Sequence, residues 1–279
     1  MKYTSYAFIS RQTTDKARDW QQRLEAHLQA NHPHLVVRPA SEADLVLVLG
    51  GDGTLIEAMC SPRKSLGHFL AFHTGNHGFL LSVREESRFL DTLEATLTGA
   101  MTFFPVPIIT IRHRSGKQKS TYRAINDLVI EQTMTWITMR VETVNERGAV
   151  FVKEVRGAGL SICSPIGSTT PLAVHVHAPR MDAGLRVFYV KGTNDSRPPT
   201  AGFILSAIDQ KLRVTITDIE PNFGVPDTHK RPPDVYADGI HVGTIAIGDV
   251  IELGYTSEPA ILLRSSDDTH WDRVGTLLS

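Results

Sequence analysis

The spacing of apolar residues over the first hundred positions switches repeatedly between two periods. Tyr6-Ala7-Phe8-Ile9 is a short apolar run that predicts a strand, and Ala17, Trp20, Leu24 and Leu28 then recur at three- and four-residue intervals. That spacing lays one apolar stripe along a helix. Thr13, Thr14 and Asp15 open it with capping hydroxyls and early negative charge, and His32-Pro33 closes it. Leu35-Val36-Val37 predicts a second short strand. Asp44 to Leu49 is the strongest strand signal in the chain, because its unbroken apolar run suits a strand covered on both faces of a parallel sheet. Leu55 to Met59 reads as helical and Phe69 to His73 as another strand. Glu85 to Leu97 predicts a helix that turns Phe89, Leu90, Leu93 and Leu97 inward and stops at Gly99. Alternating strands and helices predict a doubly wound α/β domain over residues 1–103.

Beyond Phe104-Pro105-Val106-Pro107 the helical period disappears. Short alternating runs take over at Thr110–His113, Thr121–Ile130 and Thr138–Val144, with turns at Ser115-Gly116 and Asn145–Gly148. Arg186–Val190, Lys211–Thr217 and Ile251–Tyr255 predict further strands. Lys191–Thr200 and Pro221–Pro233, rich in glycine, proline and polar residues, read as loops. The expectation is an all-β, sandwich-like domain over residues 104–262, then a tail over 263–279 that could pack back on the first domain.

Composition narrows the function classes. Hydrophobic residues make up 41% of the 279 positions, which is enough for a sizeable core and argues against a disordered chain. Lys and Arg total 29 against 30 Asp and Glu, so no excess of positive charge points to nucleic acid or an anionic membrane as partner. Two distant cysteines, Cys60 and Cys163, make a disulfide framework unexpected and fit a reducing compartment. No apolar run approaches the ~20 residues of a transmembrane helix, and Met1–Tyr6 lacks the apolar stretch of a signal peptide. The expectation is a cytoplasmic protein.

Four segments carry candidate chemistry. Gly50-Gly51-Asp52-Gly53-Thr54 follows the buried strand directly and precedes a helix. Glycines there let backbone approach a ligand, and the N–H groups of such a turn can face phosphate oxygens. The place also suits ligands that bind beyond the carboxyl ends of parallel strands. Asp52, the one ionisable group of the turn, could take a proton from a hydroxyl or help hold a metal; the plainer alternative is a helix cap. The turn is neither a Walker A loop nor a Gly-x-Gly-x-x-Gly fingerprint. His73-Thr74-Gly75-Asn76-His77-Gly78-Phe79-Leu80 is a second loop after a strand, in which Phe79 either walls an aromatic ligand or is an ordinary core residue. Asn126-Asp127 interrupts an apolar strand; buried polar groups need partners, so the pair reads an adenine edge or marks a bulge or strand-end turn. Arg156 to Thr170 combines glycines, hydroxyls and a Pro-x-Gly turn, which suits a ribose or phosphate pocket and equally an ordinary loop. His175-Val176-His177 has metal-like spacing without accompanying ligands, and Cys163 shows no sign of activation. No residue is assigned as a protein metal ligand.

Taken in order, these segments resemble the NAD kinase family. GGDGT at Gly50–Thr54, GNHGFL at Gly75–Leu80, ND at Asn126–Asp127 and GLSICSPIGST at Gly159–Thr169 are similar to its successive motifs, and Ala237-Asp238-Gly239 is similar to its later Asp-Gly turn. GGDGT alone is shared with diacylglycerol and sphingosine kinases; the later motifs favour NAD kinase. The resemblance implies an α/β nucleotide domain joined to an all-β domain. It implies transfer of a phosphoryl group from ATP, usually with Mg²⁺, to the 2′-hydroxyl of the adenosine ribose of NAD. On the same ground Asp52 would accept the proton and Gly51 and Gly53 would approach the nucleotide. Phe79, Asn126, Asp127, Arg156 and Thr169 would line the dinucleotide site, and the chain would self-associate as a homodimer or homotetramer.

The pattern departs from the family at several places. Ala158 stands where an Asp is common, and Asp127 where a Glu is common. Thr170, Pro171 and Val174 replace an Ala-Tyr and a following Ser, and a His-rich stretch at His175–Pro179 replaces Gly-Gly-Pro. These departures fall on the substrate side, whereas the glycine turn is intact. Two other readings stay open at this point: a non-catalytic nucleotide-binding regulator, and a kinase acting on another hydroxyl such as a lipid's.

Overall fold

The computed structural model describes residues 3–10, 15–64, 67–75, 78, 80–131, 135–145, 148–164, 186–190, 201–204, 211–221 and 232–265. The chain divides into two compact units, Met1–Val106 with Pro259–Ser279, and Pro107–Glu258. The second therefore ends a few residues short of position 262, where the sequence reading had it end.

The first unit runs β1 (Ser5–Ser10), α1 (Asp15–Asn31), β2 (Val36–Val37), β3 (Leu45–Gly50), α2 (Asp52–Cys60) and β4 (His68–His73), then α3 (Phe89–Thr98) and β5 (Thr102–Val106). Thr13 and Thr14 lie outside the described residues, but Ala17, Trp20, Leu24 and Leu28 are the buried face of α1, as their spacing predicts. Gly99 ends α3 in the left-handed region at φ 86°, its N–H donating to the Thr96 carbonyl at 3.1 Å.

The second unit contains β6 (Ile109–Ser115), β7 (Gln118–Ala124), β8 (Asp127–Glu131), β9 (Thr135–Asn145), β10 (Gly148–Gly157), β11 (Gly159–Cys163), β12 (Arg186–Val190) and β13 (Ala201–Ile204). It continues with β14 (Lys211–Pro221), β15 (Asp234–Ala237), β16 (Ile240–Thr244) and β17 (Val250–Tyr255), after which the chain returns to the first unit as β18 (Ala260–Arg264).

The first unit's sheet has the order β2-β1-β3-β4-β18-β5. Its strands are parallel except β5, which pairs antiparallel with β18 at the edge. An edge position explains how Pro105, which has no N–H to donate, sits inside a strand that the sequence did not disclose. All six residues of β3 are buried. Leu45, Leu47 and Leu49 share a cluster with Leu24 and Leu28 of α1 and Phe89 and Leu93 of α3, while the buried Leu55 and Met59 of α2 lie outside it. Helices on both faces of a parallel sheet are the doubly wound arrangement.

The second unit packs two antiparallel sheets, β10-β9-β14-β17-β6-β7 and β13-β12-β11-β8-β15-β16, on one core. Ile111, Met139, Val214 and Leu253 enter that core from the first sheet and Leu128, Ile130, Leu160, Ile162 and Val235 from the second. This is a β-sandwich.

One expected strand, Thr121–Ile130, is two. β7 stops at Ala124, β8 starts at Asp127, and Ile125-Asn126 is a bend between them. Asp238 holds the bend. Its carboxylate accepts the N–H groups of Ile125 at 2.7 Å, Asn126 at 2.7 Å and Asp127 at 3.1 Å, and its own N–H donates to the Asp127 carbonyl at 3.0 Å. To reach them Asp238 adopts φ 49°, the left-handed region, which among the described residues no other non-glycine enters. The strand-end turn weighed for Asn126-Asp127 is therefore the structure of this segment.

Replacing Asp238 by Ala leaves three backbone donors without their acceptor. Hydrogen bonds to charged groups contribute about 1.5–3 kcal/mol each and neighbours do not add, so Asp238→Ala is expected to cost about 2–5 kcal/mol. Denaturant unfolding checks this, and a cost under about 1 kcal/mol would show that Asp238 does not hold the bend.

Candidate functional site

The glycine turn is built by the end of β3. Gly50 pairs with His73 across the sheet, Gly51 is extended at φ −109° and ψ −172°, and α2 begins at Asp52. A Cβ on Gly50 would fall 2.5 Å from the Thr54 hydroxyl and 2.8 Å from its Cβ, so only glycine fits there. No side chain caps α2, and the Gly51 carbonyl accepts the N–H of Thr54 at 3.1 Å. A side chain on Gly53 would project into open space. The Asp52 carboxylate, on the first residue of α2, accepts the Leu80 N–H at 2.7 Å.

That bond joins the first two sequence motifs. The Thr74 N–H donates to the Gly50 carbonyl at 3.1 Å, and a Cβ on Gly75 would lie 3.3 Å from the Gly51 nitrogen, so the two loops run backbone against backbone. Phe79 lies outside the described residues. Thr74 is buried, and its hydroxyl has no hydrogen-bond partner among them.

Sequence reasoning missed Arg264, the last residue of β18. It is 3% exposed, its guanidinium lies 4.2 Å from the Phe104 ring centroid, and Nε and one terminal nitrogen have no hydrogen-bond partner among the described residues. Burial pulls its pKa down to about 10; the Asp52 carboxylate opposes that shift and Arg84 adds to it. The guanidinium stays charged at neutral pH, an incompletely paired buried cation within the field of Asp52. The available signal was an arginine closing the apolar run Ala260-Ile261-Leu262-Leu263.

In the second unit the Asp238 carboxylate brings Asn126 and Asp127 together. Asn126 is half-buried and its carbonyl accepts the Ser164 N–H at 2.8 Å; Asp127 is buried, opposite Cys163 in the β8–β11 pairing. Arg156 is exposed on β10, ion-paired with Glu220 and 5.8 Å from the Trp136 ring centroid. Ala158 is buried, and a Cβ on the adjoining Gly159 would strike the Ile130 carbonyl oxygen at 2.0 Å. Thr169, Pro171, Val174 and the His175–His177 pair lie outside the described residues.

No family model matches the sequence. Over 126 residues it is 36% identical to an NAD kinase of Bdellovibrio bacteriovorus, covering 45% of this chain and 41% of that protein. An NAD kinase of Geobacillus stearothermophilus is 36% identical over 132 residues, 46% of this chain and 47% of the relative. The chain thus spans less than half the length of these relatives. A longer match, 23% identical over 235 residues, covers 83% of the chain and 80% of an NAD kinase of Fusobacterium nucleatum. Among solved structures, yeast NADH kinase complexed with NADH has a TM-score of 0.79 at 14% identity, covering 100% of this chain and 88% of that one. An NAD kinase from Archaeoglobus fulgidus in complex with ATP has a TM-score of 0.65 at 16% identity over 98% and 97% of the two chains. At such identities the structures share the fold. The chain is thus similar in sequence to NAD kinases over about half its length and shares the fold of the two solved kinases.

Proposed function

We propose that the protein is an NAD kinase, transferring the terminal phosphoryl group of ATP to the 2′-hydroxyl of the adenosine ribose of NAD to give NADP and ADP. The observation that carries this reading is the carboxylate of Asp52, fixed by the Leu80 N–H at the mouth of an uncapped glycine turn beyond a buried parallel strand. In the proposed step the ribose oxygen bonds to the terminal phosphorus, the bond from that phosphorus to the ADP oxygen breaks, and Asp52 takes the hydroxyl proton. The uncapped N–H groups of α2 suit phosphate oxygens, and Arg264 adds positive charge close to the same turn. The reading in which Asn126 and Asp127 contact the dinucleotide is supported by the bend that Asp238 holds at these two residues.

Mg²⁺ accompanies ATP in this proposal. Asp52 fits it as one carboxylate donor, since Mg²⁺ is commonly held by one or two carboxylates with water and substrate phosphates. When bound it neutralises charge on the phosphate oxygens. The expected partners are NAD and ATP, in the cytoplasm, with self-association as a homodimer or homotetramer argued from the family. No helix among the described residues is long and apolar enough to cross a membrane. Incubation of the purified protein with ATP, Mg²⁺ and NAD, assayed for NADP, tests the activity. Nucleotide binding without turnover would favour the regulator reading, which the buried Ala158 in place of a carboxylate supports.

Asp52→Asn keeps an acceptor for the Leu80 N–H and removes the proton-accepting carboxylate. Turnover is expected to fall by about 10²–10⁴-fold with the melting temperature nearly unchanged, a general base being worth that factor. Activity close to that of the parent protein would refute the role of Asp52.

Asn126→Ala is expected to weaken NAD binding by about 1–3 kcal/mol if its amide reads the adenine edge. Calorimetry showing unchanged affinity with a lower melting temperature would assign Asn126 to the bend alone.

Arg264→Met replaces a buried, incompletely paired cation with an apolar chain of similar length. Losing one charge-assisted phosphate contact costs about 1.5–3 kcal/mol, so ATP affinity should drop roughly 10–150-fold. Stability should hold or rise, as it often does when buried charges give way to well-packed apolar groups. A fall in stability with unchanged ATP affinity would make Arg264 a purely structural residue.

A further inference from the structure

The end of α1 and the face of α3 bring together a group of side chains that the kinase reading does not use. His27 sits in the last turn of α1, His32 follows it by one residue past the helix end, and Glu94 lies on α3. His27 Nε2 is 2.6 Å and His32 Nε2 2.8 Å from the same oxygen, Glu94 Oε1. The ligand atoms of all three residues lie within 4.8 Å of one another. The His34 ring is centred 6.0 Å from that of His32, so a third imidazole stands beside the group. His27-Leu-Gln-Ala-Asn-His32-Pro-His34 therefore packs three of the chain's 12 histidines into eight positions.

The backbone beneath these side chains is fixed. Leu24 and Leu28 of α1 are buried in one cluster with Phe89 and Leu93 of α3, which sets the spacing of the two helices. The His32 N–H donates to the Leu28 carbonyl at 2.8 Å, and the His32 carbonyl accepts the Leu35 N–H at 3.0 Å. The side chains themselves keep 25%, 19% and 39% exposure for His27, His32 and Glu94, enough for an ion to enter from solvent. The two imidazoles also hold the Glu94 carboxyl below the usual carboxylate range, so it is ionised at neutral pH.

We propose that His27, His32 and Glu94, with His34 as fourth donor, bind a zinc ion. Two or three imidazoles and one carboxylate are a borderline-soft donor set of the kind zinc takes, with bonds of about 2.0–2.2 Å in tetrahedral geometry. Such bonds set ligand atoms about 3.4 Å apart, so admitting the ion opens the present contacts by roughly 0.5–1 Å, within reach of side-chain rotation. Binding requires both Nε2 lone pairs, so the hydrogen that each ring directs at Glu94 moves to that ring's Nδ1 or to solvent. The Asn31 amide nitrogen donates to the His27 carbonyl at 3.0 Å and lies 3.3 Å from His27 Nδ1, beside the ring. The group lies on α1 and α3, away from the turn that opens α2, so its role there is to tie the two helices together.

The test uses the full chain stripped of metal by a chelator. Titration with Co²⁺ should give one equivalent bound with the intense visible absorption of a four-coordinate ion, and competition against a chromophoric chelator gives the Zn²⁺ affinity. Glu94→Gln and His32→Gln should each weaken Zn²⁺ binding by more than about tenfold, and His34→Gln by about tenfold. Zn²⁺ should raise the melting temperature of the parent protein and not that of Glu94→Gln, while ATP affinity stays the same in all four proteins. Absence of saturable binding, or equal affinity and stoichiometry in parent and variants, would overturn the proposal and leave the cluster a proton-linked ion pair. If His32→Gln alone unfolds, Glu94→Gln and the exposed His34→Gln still decide.

Discussion

A strand buried on both faces must end where its backbone can find new partners, and in this chain that requirement shapes the turn at Asp52. Every residue of β3 from Leu45 to Gly50 is buried. At its carboxyl end the next strand cannot follow directly, because parallel neighbours need a crossover. The crossover begins with glycines because Thr54 leaves no room for a Cβ on Gly50 and because the Thr74–Gly75 backbone lies against the other side. The carbonyls of Gly50 and Gly51 are spent on Thr74 and Thr54, so what the turn presents outward is N–H groups and one carboxylate. Donors beside an acid suit a phosphorylated ligand whose attacking hydroxyl must lose a proton.

The second unit solves a related problem with the signs reversed. Three consecutive N–H groups at Ile125–Asp127 lie where β7 gives way to β8, and the half-buried carboxylate of Asp238 answers all three. An Asp in the left-handed region is strained, yet the adjoining Gly239 at φ 76° lets the tight turn carry it. The bend frees the Asn126 side chain from the sheet ladder, which a continuous strand would not.

The first unit was legible because its helices and its central strand differ sharply in period. The four buried positions of α1 and the stop at Gly99 follow directly from spacing and backbone freedom. In the second unit the sequence hid several strands. β10 breaks the alternating pattern, with Ala149–Val152 all apolar and Lys153 and Glu154 adjacent, and β5 carries a proline that an edge alone tolerates. The Asp52 turn was readable from its glycines, as was the pair at Asn126-Asp127. Its partner Asp238, 111 positions beyond Asp127, resembled a motif, but its role as acceptor is a long-range fact that local patterning does not encode. Arg264 escaped for the same reason: only the return of β18 between β4 and β5 puts it within the field of Asp52. Arg156, assigned by resemblance, is exposed and ion-paired with Glu220.

Holding Arg264 in place carries a cost that an apolar residue would not. A guanidinium at 3% exposure gives up most of its hydration, and one aromatic face recovers only part of that loss. An apolar residue at the end of β18 would complete the strand at lower cost. Two of its nitrogens have no hydrogen-bond partner among the described residues, which leaves donors that an anion at the turn could take up. Ala158 illustrates the converse. It is buried where the family commonly has a carboxylate, and its methyl group needs neither hydration nor a counter-charge. The chain thus keeps one buried charge within the field of Asp52 and buries only a methyl group at Ala158.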